Sequence, residues 1–174
     1  MRLSHRALRL HAAGLVALGV AVSPLGFGPP ALSDQRPVQI IVNQVGPSFT
    51  PVLARAIAAW EIAGDPIDLV AAYGGPGACE DGDQRPANVT VVCIHDTTNP
   101  QYAGLSTVGA GGHVWLRAGM SPSTLLLALT HELGHSQGLG HQLRSKACTM
   151  YPSLYLRQRV CAPEVAELKA LVEG

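Results

Sequence analysis

The feature that most restricts how this chain can fold is one string, His131-Glu132-Leu133-Gly134-His135-Ser136-Gln137-Gly138-Leu139-Gly140-His141. Residues four apart on an α-helix stand one above the other, so His131 and His135 can present two imidazoles to one metal ion if this stretch is helical. Glu132 adjoins them in sequence but projects at a different angle, which suits a group that handles a water beside the metal. Gly138 supplies the positive φ that stops a helix and turns the chain, letting His141 return as a third ligand. Three neutral nitrogens leave one position of a tetrahedral zinc ion open, the pattern of a reactive site and not a structural one. The bland alternative, a surface helix with incidental histidines, leaves unexplained why three of the chain's 7 His fall at these offsets.

Hydrophobic periodicity places the string in a single mixed α+β domain. Val38 to Val42 alternates as a strand, with Val38, Ile40 and Val42 on one face. Thr50-Pro51 reads as an N-cap followed by Pro at the first helical position, and Leu53, Ile57 and Trp60 recur at helical spacing up to Gly64. Ile67 to Ala71 is a second short strand, and Tyr73 to Pro86, rich in Gly, Pro and Asp, reads as loop. Asn88 to Ile94 is nearly all β-branched or apolar and predicts a strand covered on both faces. Ala103–Val108 and His113–Leu116 flank Ala110-Gly111-Gly112 as a hairpin. From Ser121-Pro122 the period becomes helical, with Leu125, Leu126, Leu129 and Leu133 on the apolar side. A last helix starts at Pro163, with Val165, Leu168, Leu171 and Val172 expected to face inward.

Charge and cysteine content bear on where such a domain works. The chain has 174 residues with 12 basic and 12 acidic side chains, too little net charge for electrostatic binding of nucleic acid or an acidic membrane face. Arg2, Arg6 and Arg9 crowd a basic start, and Leu10 to Val22 follows as an apolar run too short for a comfortable bilayer span of about 20 residues. Residues 1–33 are therefore expected to be a secretory signal, with Ala31-Leu32-Ser33 as the cleavage site; the alternative is an uncleaved anchor helix. Residues 34–174 would remain as a catalytic unit, extracellular, without stable membrane association, and expected to be monomeric. Cys79, Cys93, Cys148 and Cys161 all lie in that part, and four cysteines in an exported chain are most simply two disulfides. Three connectivities are open; the local pairs Cys79–Cys93 and Cys148–Cys161 are favoured because each closes a short segment that looks irregular.

The string HExxHxxGxxH resembles that of the metzincin zinc peptidases, whose second hallmark is a Met-containing turn downstream. Ala147-Cys148-Thr149-Met150-Tyr151-Pro152 occupies that place. Within the metzincins, Met-Tyr-Pro looks most like the matrixins. The resemblance implies a zincin fold: a mixed five-stranded twisted sheet with one antiparallel edge strand, a zinc-binding helix and a C-terminal helix. It implies one catalytic Zn²⁺ on His131, His135 and His141, Glu132 as general base, and Met150 as an apolar floor under the metal. It further implies a substrate cleft between the edge strand (Leu105, Ser106, Thr107) and a wall formed by the Tyr151 to Tyr155 segment (Tyr151, Pro152, Tyr155). The expected activity is secreted endopeptidase on extended polypeptides. The alternatives are a non-catalytic zinc- or peptide-binding protein of the same fold, and an exopeptidase or amidase on cell-wall peptides, for which Arg117 and Arg144 are the nearest cations in sequence. Tyr155 comes one residue later than the family pattern, and Gln142 stands where matrixins usually carry Ser or Thr. No cysteine precedes the domain to serve as an inhibitory switch, so such an enzyme would be active on secretion or restrained by another agent such as a proteinaceous inhibitor. For the structural zinc and calcium sites of the animal enzymes, His95-Asp96 and His113 are the candidate remnants. They read more simply as loop and strand residues, so Ca²⁺ is unsupported.

Overall fold

The alternating segment at Val38 forms β1 (Val38–Asn43). Its Val38, Ile40 and Val42 share a face, yet the opposite face turns inward: Gln39, Ile41 and Asn43 are buried. The two amides are tolerated because each is hydrogen-bonded, Gln39 Nε2 to Thr90 Oγ1 at 2.8 Å and Asn43 Nδ2 to the Gly46 carbonyl at 2.8 Å. The structure is a computed structural model that describes residues 36–75, 86–95, 102–109 and 111–174. The expected leader, Cys79, Asp96 and Ala110 lie outside the described residues, as does the side chain of His95.

A 3₁₀ turn at Pro47–Phe49 leads into α1 (Thr50–Ala63). Thr50 is thus the first helical residue and not the cap; Phe49 takes the cap position without a side-chain bond. Gly64, in the left-handed region at φ 90°, ends α1. β2 (Asp68–Tyr73) takes in Tyr73, two residues beyond the expected end of that strand. β3 (Val89–His95) is buried on both faces at its centre, where Thr90, Val91, Val92 and Cys93 are all enclosed. β4 (Gly104–Ser106) is shorter than its sequence pattern and pairs antiparallel with β5 (His113–Arg117). The sheet runs β2-β1-β3-β5-β4, parallel except at that last pair, so β4 is an edge.

α2 (Pro122–Ser136) starts where Ser121 accepts a hydrogen bond from the Thr124 amide, an N-cap with Pro at the first position. Trp60 is fully buried in the core and its Nε1 donates to the Thr130 carbonyl at 2.9 Å, fixing α1 to α2. Gln39 Nε2 also donates to the Ser136 carbonyl at 3.0 Å, which ties the sheet to the C-terminal end of the same helix. Ile41, Leu53, Val114, Leu116, Leu129 and Leu133 fill the space between sheet and helices. Each such side chain contributes about 1.5–3 kcal/mol by leaving water.

α3 (Ala162–Glu173) buries Glu164, Val165 and Leu168 in its first two turns. Leu171 and Val172, expected inside, are 55% and 39% exposed. They lie in the last turn, beyond the part of α3 that the core covers. A disulfide joins Cys148 to Cys161 at the start of α3, with Cα atoms 5.4 Å apart. Cys93 is likewise disulfide-bonded. Among the described residues no helix is long and apolar enough to cross a membrane.

Candidate metal centre

α2 carries His131 and His135 on its buried side, and Gly138 at φ 107° turns the chain so that His141 comes back to them. His131 Nδ1 lies 2.6 Å from the Thr149 carbonyl and His135 Nδ1 2.7 Å from the Leu139 carbonyl. A carbonyl can only accept, so both rings carry their proton on Nδ1 and leave the Nε2 lone pair free. The Nε2 atoms of His131 and His135 each stand 3.2 Å from His141 Nε2. For metal–nitrogen bonds of about 2.0–2.1 Å, the edge of a tetrahedron is about 3.3–3.4 Å. Two edges thus match a tetrahedral zinc ion and all three ligand atoms lie within 4.8 Å of one another, and among the described residues this is the group of His, Cys, Asp and Glu able to hold a metal. Burial pushes His131 down to about 4, and the neighbouring His135 and His141 add to this against the Thr149 bond. Burial likewise lowers His135. Both are therefore neutral at physiological pH, as a metal ligand must be.

Glu132 lines the same cleft. It is buried, and burial pushes its carboxyl up to about 8. Its Oε2 has no hydrogen-bond partner among the described residues. A buried, unpartnered carboxyl oxygen of this kind, beside three convergent imidazole nitrogens, is what a site for a reacting water or substrate group requires. Gly104 on the edge strand faces it: a Cβ there would lie 2.7 Å from Glu132 Cγ and 2.8 Å from Oε1.

Met150 is fully buried below the helix. It reaches that place because Gly134 has no side chain; a Cβ at 134 would fall on Met150 Sδ and come within 2.8 Å of Trp60 Cζ2. Glu164 holds the turn from the other side, accepting from the Met150 amide at 2.5 Å and the Cys161 amide at 2.7 Å. Burial pushes the Glu164 carboxyl up, against the amides that pull it down.

The cleft has a volume of about 630 Å³. Leu105 and Ser106 line it from the edge strand and Pro152 from the far wall. Thr107 does not: its Oγ1 accepts from the His113 amide at 2.9 Å and its own amide donates to His113, so it pins the hairpin. Tyr151 and Tyr155 are also outside the lining. Their rings pack together with centroids 5.8 Å apart, and Lys146 sits over the Tyr155 ring. Ser153 and Leu154 take their place in the wall. Arg117 lines the cleft, Arg144 is exposed, and His113 stacks on Trp115 at 4.8 Å, apart from the metal group. Gly104, Gly134 and Glu164 escaped the reading of the sequence, since each matters through a contact distant along the chain.

No protein-family model matches the sequence, and no curated protein does either. Solved structures do. Archaemetzincin from Methanopyrus kandleri superposes with a TM-score of 0.53 at 16% identity, over 80% of this chain and 97% of that one. The chain has a metzincin-like fold. A zinc-dependent peptidase from Methanocorpusculum labreanum gives 0.48 at 16% identity, covering 75% of this chain and 99% of that one. The hatching enzyme zinc-protease of Oryzias latipes gives 0.37 at 16% identity over 60% and 44%. At these identities the likeness is one of fold, carried by the first of the three. The metal site rests on the geometry above.

Proposed function

We propose that the protein is a secreted, zinc-dependent endopeptidase in which Glu132 is the general base. The observation that carries this reading is the pairing of three convergent imidazole nitrogens with a buried, unpartnered carboxyl oxygen in one open cleft. A zinc ion on His131, His135 and His141 would supply Lewis acidity, activating a water and polarising the scissile carbonyl. Glu132 takes the proton of the attacking water and delivers it to the leaving nitrogen. Its raised affinity for a proton, a consequence of burial, suits a group that must hold the proton between the two halves of the transfer. The unpaired side of β4 offers main-chain groups to an extended polypeptide, and a strand edge reads the middle of a chain without needing its ends. The Met-Tyr-Pro sequence after His141 supports a matrixin-like relationship within the metzincins. The basic, then apolar, leader and the Cys148–Cys161 disulfide support export.

The exopeptidase alternative has one observation in its favour, the presence of Arg117 in the cleft, where a cation would meet a terminal carboxylate. Terminally blocked peptides separate the two: an endopeptidase cleaves free and blocked versions equally. The purified chain should bind one zinc ion and cleave an unfolded protein such as casein, and Glu132→Gln should lower kcat by about 10²–10⁴. A zinc-loaded chain that cleaves no member of a broad peptide library would overturn the enzyme reading. Survival of activity in Glu132→Gln would overturn the assignment of the base.

A further inference from the structure

Glu164 has no exposed surface, and its two oxygens do different things. Oε2 accepts from the Cys161 amide and closes a capping box at the start of α3. Oε1 instead leaves the helix and accepts from the Met150 amide at 2.5 Å. The N–H of Met150 and the carbonyl of Thr149 belong to one peptide group, and that carbonyl accepts from His131 Nδ1–H at 2.6 Å. The group is planar and conjugated, so a carboxylate at its N–H draws electron density toward its oxygen and strengthens the bond made there.

We infer that Glu164 is a positioning residue of the metal centre, acting on His131 through the Thr149–Met150 peptide. Histidine ligands commonly pass their second ring N–H straight to a carboxylate, which fixes the tautomer and strengthens the donor nitrogen. Here one peptide unit stands between the two, and the chain runs carboxylate, peptide, imidazole, metal. The neighbouring bonds keep that peptide in register: the Thr149 amide donates to the Arg159 carbonyl at 3.0 Å, and the Met150 carbonyl accepts from the Gln142 amide at 2.8 Å. The Cys148–Cys161 disulfide joins the residue before Thr149 to the cap of α3, so the carboxylate and the peptide cannot drift apart. The inference rests on the reading that the three histidines hold a metal.

The test is Zn²⁺ affinity, measured by competition with a chromophoric chelator, in wild type, Glu164→Gln and Leu168→Ala. Leu168 is buried on the same helix and its apolar side chain can make neither hydrogen bond, so its truncation reports loss of packing under α3 without loss of the carboxylate. Glu164→Gln should weaken Zn²⁺ binding about 10-fold or more, the usual effect of removing an outer partner of a ligand. Leu168→Ala should stay within about twofold of wild type, well below that outer-partner effect. Equal weakening in both variants, or none in Glu164→Gln, overturns the relay. A wild-type chain that takes up no Zn²⁺ overturns the metal reading and the relay with it. Should Glu164→Gln not fold, the wild type decides: adding Zn²⁺ to the metal-free protein should move the NMR resonance of His131 Nδ1–H and that of the Met150 amide together. A Met150 amide that stays fixed while His131 moves overturns the inference.

Discussion

Gly104→Ala is the substitution whose effect follows most directly from the geometry. The added methyl carbon would lie 2.7 Å from Glu132 Cγ, 2.8 Å from Oε1 and 3.0 Å from Cδ. Carbon atoms rest at about 3.5–4.0 Å, so roughly 1 Å of movement is needed to relieve the contact. Backbone retreat would strain the ladder, where Gly104 pairs with Leu116 and the Arg117 amide donates to the Ala103 carbonyl at 3.0 Å. The side chain of Glu132 is the softer partner and should move instead. A displacement of about 1 Å in a reacting group costs on the order of 10²-fold in rate. Stability should fall by no more than about 2.5 kcal/mol, because overpacking of about 1–3 kcal/mol is partly offset by the roughly 0.5–1 kcal/mol that Ala gains over Gly in a strand.

The assay is kcat and KM on an internally quenched peptide, with zinc stoichiometry and thermal midpoint measured on the same samples. The expected result is a kcat lowered about 10–100-fold with one zinc still bound. A kcat within twofold of wild type would show that the contact is relieved elsewhere and that the reasoning fails. Repeating the substitution in the Glu132→Gln background isolates the cause, since a carboxylate already lost cannot be displaced. A further tenfold loss in that background would assign the effect to the cleft and not to Glu132.

Two other expectations concern stability. Asp65 is buried after α1, with its Oδ1 accepting from the Ile67 amide, and burial raises its carboxyl from 3.8 to about 6. A raised folded value means that the folded state binds the proton more tightly, so this contribution is complete below pH ~3.8 and is lost as pH rises through ~6. At 1.36 kcal/mol per pH unit the loss is about 3 kcal/mol, and urea midpoints should show Asp65→Asn gaining that much on wild type across the window; parallel curves would rule it out. Gly134→Ala, ordinarily stabilising in a helix by up to about 1 kcal/mol, should here lower the thermal midpoint by a few degrees, since the methyl meets Met150 and Trp60. A higher midpoint would mean that the Met150 side chain is not wedged against α2.

The parts of this molecule that could be read from its sequence are those in which partner residues lie within a helical turn or a strand of one another. His131, Glu132 and His135 owe their relation to helix geometry alone, and Gly138 announces the turn that brings back His141. The order of strands and helices followed from periodicity for the same reason. What escaped depends on tertiary contact. The inward face of β1 carries Gln39 and Asn43, which a hydropathy pattern assigns to solvent; Gln39 is buried because its partner Ser136 lies 97 positions away. Leu171 and Val172 continue the apolar stripe of α3 past the part that the core encloses.

The same distinction explains the composition of the site. The groups that would touch metal and water are a compact signature, whereas the groups that hold them are anonymous: a glycine in an edge strand, a glycine inside a helix, a glutamate in a helix cap. Gly104 and Gly134 act by lacking a side chain, and no periodicity marks an absence. Glu164 has an ordinary reason to stand at the third position of α3, since it caps the helix, and that local role conceals the longer one. Substitutions at these three positions should therefore alter the centre while leaving every fixed position of the HExxHxxGxxH motif unchanged, so an intact motif alone does not imply an intact site.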